Sequence, residues 1–148
     1  MVAPEQQLAQ FVSAFAPAVA ERATAAIAAM RARLPGANLL VYDNFNALAV
    51  AFCATRRKGD ILCSIAVYPR WVSLFLMGGQ ALDDPHRLLR GSGNTMRHVV
   101  LDSAEKLGDP RVQALIDQTV ARAAVPLQAD GGQVVIAAVA PKKRGRVT

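Results

Sequence analysis

The fold is decided by the stretch from Asn38 to Met77, which reads NLLVYDNFNALAVAFCATRRKGDILCSIAVYPRWVSLFLM. Apolar side chains recur there at every second position, and a period of two is typical of β-strands. The pattern predicts four strands, over residues 38–43, 46–54, 60–68 and 71–77. The connections between them are short and rich in turn-forming residues, and short connections join antiparallel neighbours. We therefore expect an antiparallel meander.

Alternation assigns the residues of these strands to two faces of the sheet. One face is uniformly apolar, and we expect helices to cover it: Leu39, Val41, Leu48, Val50, Phe52, Ile61, Cys63, Ile65, Val67, Val72, Leu74 and Leu76. The other has small residues in its middle and aromatic residues beside them: Leu40, Tyr42, Ala47, Ala49, Ala51, Cys53, Leu62, Ser64, Ala66, Tyr68, Trp71, Ser73, Phe75 and Met77. It is too apolar to stay fully hydrated without a reason. A helix, a dimer partner or a ligand is expected to cover part of it.

The residues before the meander show helical spacing. Apolar side chains three, four and seven positions apart run from Leu8 to Leu34 and place one apolar face toward a core. Pro17 lacks an N–H to donate inside a helix but suits a first helical turn. We expect a break near Ala16, a second helix that begins at Pro17, and an end at Pro35.

The residues after the meander predict a short helix over residues 84–91, because Asp-Pro begins this segment and glycine ends it. A fifth strand over 96–101, a helix over 109–124 and an edge strand over 134–139 follow. The predicted fold is α+β: an antiparallel meander sheet of about five or six strands, with N-terminal and C-terminal helices packed on it. We expect one domain over residues 1–140 and a basic, disordered tail over 141–148.

Composition and charge limit the classes of function. Of the 148 residues 53% are hydrophobic and 19% are charged, which is typical of a folded domain. No apolar run long enough for a membrane helix and no signal peptide is evident, and Cys53 and Cys63 fall on opposite faces. A cytoplasmic protein with free thiols is expected. Four of the charges behind the net +6 lie in the tail, so we expect no nucleic-acid binding beyond weak tail contacts.

Several short sequence blocks carry a family resemblance. In chain order they are LP at 34–35, YDNFNAL at 42–48, YPRWVSLFL at 68–76, Gly79, Leu82, DPH at 84–86, LL at 88–89, GSG at 91–93, MRH at 96–98, and VVI at 134–136 with KR at 143–144. In these blocks the chain resembles the YdhG-like family of domains of unknown function, from about Gln6 to the tail. The resemblance implies an α+β sandwich with a curved antiparallel sheet, and no assigned general activity. One branch is described as frataxin-like, delivering iron for iron–sulfur assembly through an acidic helix ridge. Here the N-terminal helices carry only Glu5 and Glu21 against three arginines.

A candidate anion site surrounds the predicted fifth strand. Arg90, Arg97 and His98 lie close in sequence to Gly91 and Gly93. Glycine allows a backbone to approach an anion closely, and arginine binds phosphate or carboxylate through two parallel hydrogen bonds. The alternative is that the glycines only end a helix, while Arg97 pairs with a nearby aspartate.

A second candidate site lies on the small-residue face, where Tyr42 and Trp71 border the alanines together with Tyr68 and Phe75. Aromatic side chains around such a floor can form a ligand cup, with a hydroxyl and an indole N–H as polar groups. They can equally form a packing surface or a dimer interface.

Catalytic and metal-binding patterns are weak in this sequence. Aspartate and histidine are residue types that bind metal ions, and they occur here as Asp83, Asp84, His86 and His98. Helix capping, however, explains the aspartates. We therefore expect no catalytic residue and no metal site. The expected function is a non-enzymatic binding module for a small anionic ligand or a protein partner. The alternatives are a frataxin-like iron carrier and a homodimeric scaffold.

Overall fold

The computed structural model describes residues 2–147 of the chain. It contains three α-helices and six strands, with short 3₁₀ turns at Lys58–Asp60, Gly79–Ala81 and Ala104–Gly108: α1 Pro4–Ser13, α2 Pro17–Arg33, β1 Asn38–Asp43, β2 Leu48–Cys53, β3 Ile61–Val67, β4 Val72–Leu76, β5 Arg97–Val100, α3 Pro110–Ala121 and β6 Val134–Val139. Each α-helix begins with proline in its first turn, where the missing N–H costs no helical hydrogen bond. The predicted break before Pro17 is confirmed, because Ala16 is the extended N-cap of α2.

The strands form one sheet in the order β5-β4-β3-β2-β1-β6. The pairs from β1 to β5 are all antiparallel, so the predicted meander and the α+β fold are confirmed. β6 is an edge strand, as predicted, but it runs parallel to β1 and contains a bulge opposite Val41 and Tyr42.

Two glycine turns bring the beginnings of β1 and β6 together. Gly36 has a φ of +90°, and a Cβ on Gly131 would overlap the carbonyl of Gly36. Leu39 donates its N–H to the Gln133 carbonyl at 2.8 Å, and Gln133 donates its own to Asn38 Oδ1 at 3.1 Å. The close approach of the two turns therefore sets where the parallel pair begins.

The main core lies between the helices and the face of the sheet that was predicted to be apolar. It is built from α1, α2 and α3 together with alternate residues of the strands, among them Leu39, Val41, Leu48, Val50, Phe52, Cys63, Ile65, Val67, Val72, Leu74 and Leu76. Phe52 and Met30 are among the largest side chains that it buries completely. Burial of apolar side chains of this size is the dominant favourable contribution to folding.

The alternation fails at one point, the beginning of β3. Ile61 was assigned to the helix-covered face and Leu62 to the other, but Leu62 joins the main core and Ile61 packs with Cys53. The reason is a register shift between Phe52 and Cys53, which pairs Cys53 with Ile61. One residue of shift moves a side chain to the opposite face.

The prediction of a short helix over residues 84–91 is wrong. The Asp84 carboxylate does cap this segment, since it accepts the N–H groups of Leu88 and Leu89 at 3.0 and 2.9 Å. Arg87, however, has a φ of 53°, which a right-handed helix does not allow. The chain therefore makes one turn and then pairs Arg90 with His98 at the free edge of β5.

The basic tail, which we expected to be disordered, makes several contacts with the end of β1 and the turn that follows it. Lys143 and Arg146 contact the Asp43 carboxylate at 2.5 and 2.8 Å, and Arg144 donates its N–H to the Phe45 carbonyl at 2.8 Å. A buried carboxylate at the end of β1 is the reason, because it requires cationic partners that the tail supplies. The sequence pattern assigned Asp43 to neither face of the sheet and predicted no partners for it. Among residues 2–147, no helix combines the length and the apolar character that crossing a bilayer requires.

Candidate ligand-binding face

The second face of the sheet, which we call the open face, consists of two rows of side chains that cross the strands. The pairing register gives the first row as Leu40, Ala51, Ser64, Phe75 and His98, with Val135 of β6 beside Leu40. It gives the second as Tyr42, Ala49, Ala66, Ser73 and Val100, with Ala138 beside Tyr42. The buried apolar residues of all three α-helices belong to the core on the other side. Within residues 2–147, the apolar cluster on the open face contains no helical residue.

Aromatic pairs border the open face along β4. The rings of Phe75 and His98 are stacked with their centroids 5.0 Å apart, and those of Tyr68 and Trp71 with theirs 4.6 Å apart. Trp71 is 43% exposed, so one side of this second pair is available to a planar ligand. Burial raises the pKa of Tyr68, which keeps its hydroxyl protonated and able to donate.

Cationic side chains lie at three places around the open face. Lys58 Nζ is 5.9 Å from the centre of the Tyr42 ring, and Arg90 is the bridge partner of His98 at the β5 edge. Arg144 lines a cleft of about 260 Å³ with Tyr68 and Trp71. Neither row contains an acidic residue. The open face is therefore a surface with a positive rim.

Ser73 is an unusual residue in the second row. Its side chain is buried, and its hydroxyl oxygen has no hydrogen-bond partner among the residues that the structure describes. A buried hydroxyl without a partner costs roughly 1–3 kcal/mol. The hydroxyl is closed off from solvent, so it is a cost within the fold and not a contact point for a ligand on the open face.

The structure separates two of the residues predicted for the anion site, Arg97 and His98. They are neighbours in β5, so they point to opposite faces of the sheet: His98 stacks on Phe75, whereas Arg97 is paired with Leu76 on the helix side. The Arg97 guanidinium donates to the carbonyls of Gly93 and Met96 at 2.6 and 2.8 Å. The Arg97 side chain therefore stabilises the loop that precedes β5. Among the described residues it forms no ion pair with Asp83 or Asp84.

The two glycines of the predicted anion site have separate surroundings. Gly91, at a φ of +115°, lies beside His98: a Cβ on it would be 3.5 Å from His98 Nδ1. The Gly93 carbonyl instead accepts a hydrogen bond from the Arg97 guanidinium. Of the predicted site residues, the structure brings Arg90, Gly91 and His98 together at one edge of the open face. Tyr42 lies on the same face at β1, and Trp71 lies at the beginning of β4.

Sequence reasoning missed Lys58, Arg144 and the stack of Phe75 on His98. Lys58 lies in a turn whose conformation the sequence pattern does not give, and Arg144 belongs to the tail expected to be disordered. The stack could have been found, because β4 and β5 were both predicted and an antiparallel pairing of the two makes Phe75 and His98 opposite residues.

The described residues hold no group of three or more histidine, cysteine and acidic side chains that could bind a metal ion. Cys63 lies in the main core, where burial raises its pKa to about 12. Cys53 lies on the opposite face, as predicted, and its sulfur donates to the Arg57 carbonyl at 3.1 Å. Both cysteines are free and buried, so neither is placed to act as a nucleophile.

Comparisons with protein-family models, with curated proteins and with solved structures find no match to this chain.

Proposed function

We propose that this chain is a binding protein that holds an anionic ligand with flat, unsaturated groups against the open face of its sheet. The observation that carries the proposal is that two apolar rows of the sheet are left uncovered by the helices, while aromatic and cationic side chains surround them. The larger side chains of the rows, Tyr42, Phe75 and His98, are half-buried, and Trp71 at the border is exposed. A partly accessible apolar surface with a polar rim is typical of interaction sites. The proposal includes a cytoplasmic location, which the two free cysteines support.

Arg90 and His98 are the proposed anion-recognition groups. The side chain of Arg90 is exposed, and no hydrogen bond or ion pair engages its guanidinium within residues 2–147. Pairing of the two residues at the β5 edge places both side chains on the same face. A guanidinium beside an imidazole donor suits a phosphate, sulfonate or carboxylate.

Trp71 and Phe75 are the proposed contacts for the flat part of the ligand. Phe75 lies in β4 and Trp71 lies immediately before it. The two residues are four positions apart with Ser73 between them, so alternation places them on the same side of the sheet. A planar group resting there would contact the exposed ring of Trp71 and the half-buried ring of Phe75.

A fluorescence titration tests the proposal, because Trp71 is the chain's one tryptophan and lies at the open face. The probe is anilinonaphthalene sulfonate, a planar aromatic anion, and its neutral counterpart phenylnaphthylamine is the comparison. We expect the sulfonate to quench Trp71 and to bind about tenfold more tightly than the neutral compound. Arg90→Gln should remove this preference, whereas Arg122→Gln, at the exposed end of α3, should retain it.

A panel of phosphorylated and carboxylated aromatic metabolites in a thermal-shift screen would then narrow the ligand. Equal binding of the charged and the neutral probe, or equal effects of the two arginine variants, would contradict the proposal. Self-association that buries Trp71 would instead favour the homodimeric scaffold. Light scattering at low micromolar concentration, read together with Trp71 emission, distinguishes the two.

A further inference from the structure

The dimensions of the open face point to a ligand that is larger than one small molecule. The first row continues beyond β5, because Arg90 pairs with His98 through both backbone hydrogen bonds, at 2.8 and 2.9 Å. From Leu40 on β1 to Arg90 the row crosses five strand spacings, or about 24 Å at roughly 4.8 Å each. Cations lie near both ends, with Lys58 over Tyr42 at one end and Arg90 at the other.

The face combines flat rings with positive charge around a floor of small residues. Tyr42, Trp71 and the Phe75–His98 stack supply π surfaces, and Lys58, Arg90 and Arg144 lie around them. A chain of aromatic bases joined by phosphates carries the groups complementary to both. An acidic peptide would satisfy the cations but would leave the rings without planar partners.

The distribution of charge favours the sheet over the tail as the basic surface. Lys143 and Arg146 of the tail are occupied by Asp43 in the structure. Of the chain's eleven acidic residues, none lies in the two rows of the open face. A second copy of this face would bring like charges together, which disfavours a symmetric dimer through it.

Resting on the proposed function, we infer that the anionic ligand of the open face is single-stranded nucleic acid, with bases stacked on Trp71, Tyr42 and the Phe75–His98 pair and with phosphates near Arg90 and Lys58. Binding of this kind tolerates many sequences, because every base presents a flat face. It also depends strongly on salt, because the protein displaces counterions from the phosphates.

Fluorescence anisotropy of a labelled oligothymidylate of about twelve nucleotides tests this inference, with an abasic strand of the same phosphate count as the matched control. We expect the oligothymidylate to bind about tenfold more tightly than the abasic strand at physiological salt. Trp71→Leu should remove most of this difference. Arg90→Gln should lower the slope of log affinity against log salt by about 0.7, while Arg122→Gln should leave the slope unchanged.

Equal binding of the two strands would overturn the inference, because it would mean that charge alone attracts them. Absence of oligonucleotide binding, in a protein that still binds anilinonaphthalene sulfonate with the Arg90 dependence described above, would overturn this inference and leave the proposed function standing. If neither the oligothymidylate nor anilinonaphthalene sulfonate binds, both this inference and the proposed function are wrong.

Discussion

Arg146 and Asp43 form an ion pair that is almost completely withdrawn from water. The distance from Arg146 Nη2 to Asp43 Oδ1 is 2.8 Å, and the two side chains are 9% and 4% exposed. Lys143 holds the other carboxylate oxygen of Asp43 at 2.5 Å. The Arg146 guanidinium also lies 5.0 Å from the Phe15 ring. The end of the chain is therefore joined to β1 and to the residues that follow α1.

Replacement of Asp43 by asparagine should destabilise the protein strongly. The change leaves the buried Arg146 guanidinium and the neighbouring ammonium of Lys143 without their counter-charge. Removing one partner of a buried pair typically costs several kcal/mol, so we expect a loss of about 3 kcal/mol in the free energy of unfolding. Urea denaturation measures it.

The matched control for this prediction is Asp102→Asn. Asp102 contacts Lys106 at 3.9 Å but is 88% exposed, so its loss should cost less than about 0.5 kcal/mol. If the two variants unfold at the same urea concentration, the tail does not depend on Asp43.

Shortening the chain so that it ends at Pro141 should loosen α1 in particular. Lys143 Nζ lies 5.4 Å from the Phe11 ring and Arg146 lies over Phe15, so the tail covers the aromatic residues of this region. Without it, amide hydrogen exchange should speed up in α1 while α3, which the tail does not contact in the described part of the chain, stays protected. Uniform acceleration across the whole chain would argue against a local role.

The sequence predicted the sheet well because its signal is local. Alternation over residues 38–77 reports both the strand positions and the side of the sheet, so β1 to β4 and the opposite placement of Cys53 and Cys63 could be read directly. The same rule was available for Arg97 and His98. Placing both in one anion site overlooked that neighbouring residues in a strand face opposite sides of the sheet.

The remaining features depend on contacts between residues far apart in the chain. Asp84 precedes a proline, as a helix N-cap often does, and its carboxylate does accept the N–H of Leu88. The positive φ of Arg87 nevertheless ends the segment after one turn. The contact of Arg146 with Asp43 joins residues that are 103 positions apart in the chain. A composition rule reads a basic terminus as solvated, because it cannot detect a buried carboxylate that is distant in sequence.

Gly131→Ala should destabilise the junction of β1 and β6. A Cβ at residue 131 would overlap the backbone carbonyl of Gly36, and a backbone atom cannot move aside as a flexible side chain can. We expect a cost of more than about 1 kcal/mol, measured by thermal or urea unfolding. Gly59→Ala is the control, because no atom lies within 4 Å of the added methyl group there. Equal stability of the two variants would show that the turns can separate without cost.

The Asp109 carboxylate at the beginning of α3 should titrate at unusually low pH. Its Oδ1 accepts the Arg111 N–H at 2.9 Å, and its Oδ2 accepts Arg111 Nη2 at 2.7 Å. These hydrogen bonds stabilise the charged form and lower the pKa of Asp109 from 3.8 to about 2. A depressed pKa in the folded state means that the contribution of Asp109 to stability is present above pH 3.8 and is lost as the pH falls toward 2.

Carbon-detected NMR of the Asp109 carboxyl group follows this titration directly. Arg111→Gln removes the guanidinium but keeps the backbone N–H that Asp109 caps, so the pKa should rise part of the way toward its ordinary value while α3 stays folded. Arg122→Gln, at the other end of α3, should leave the Asp109 titration unchanged. A midpoint near the ordinary value in the wild-type protein would mean that Arg111 does not hold the carboxylate in solution. In that case the hydrogen bond from the Arg111 backbone N–H would be the one contact by which Asp109 stabilises the beginning of α3 at low pH.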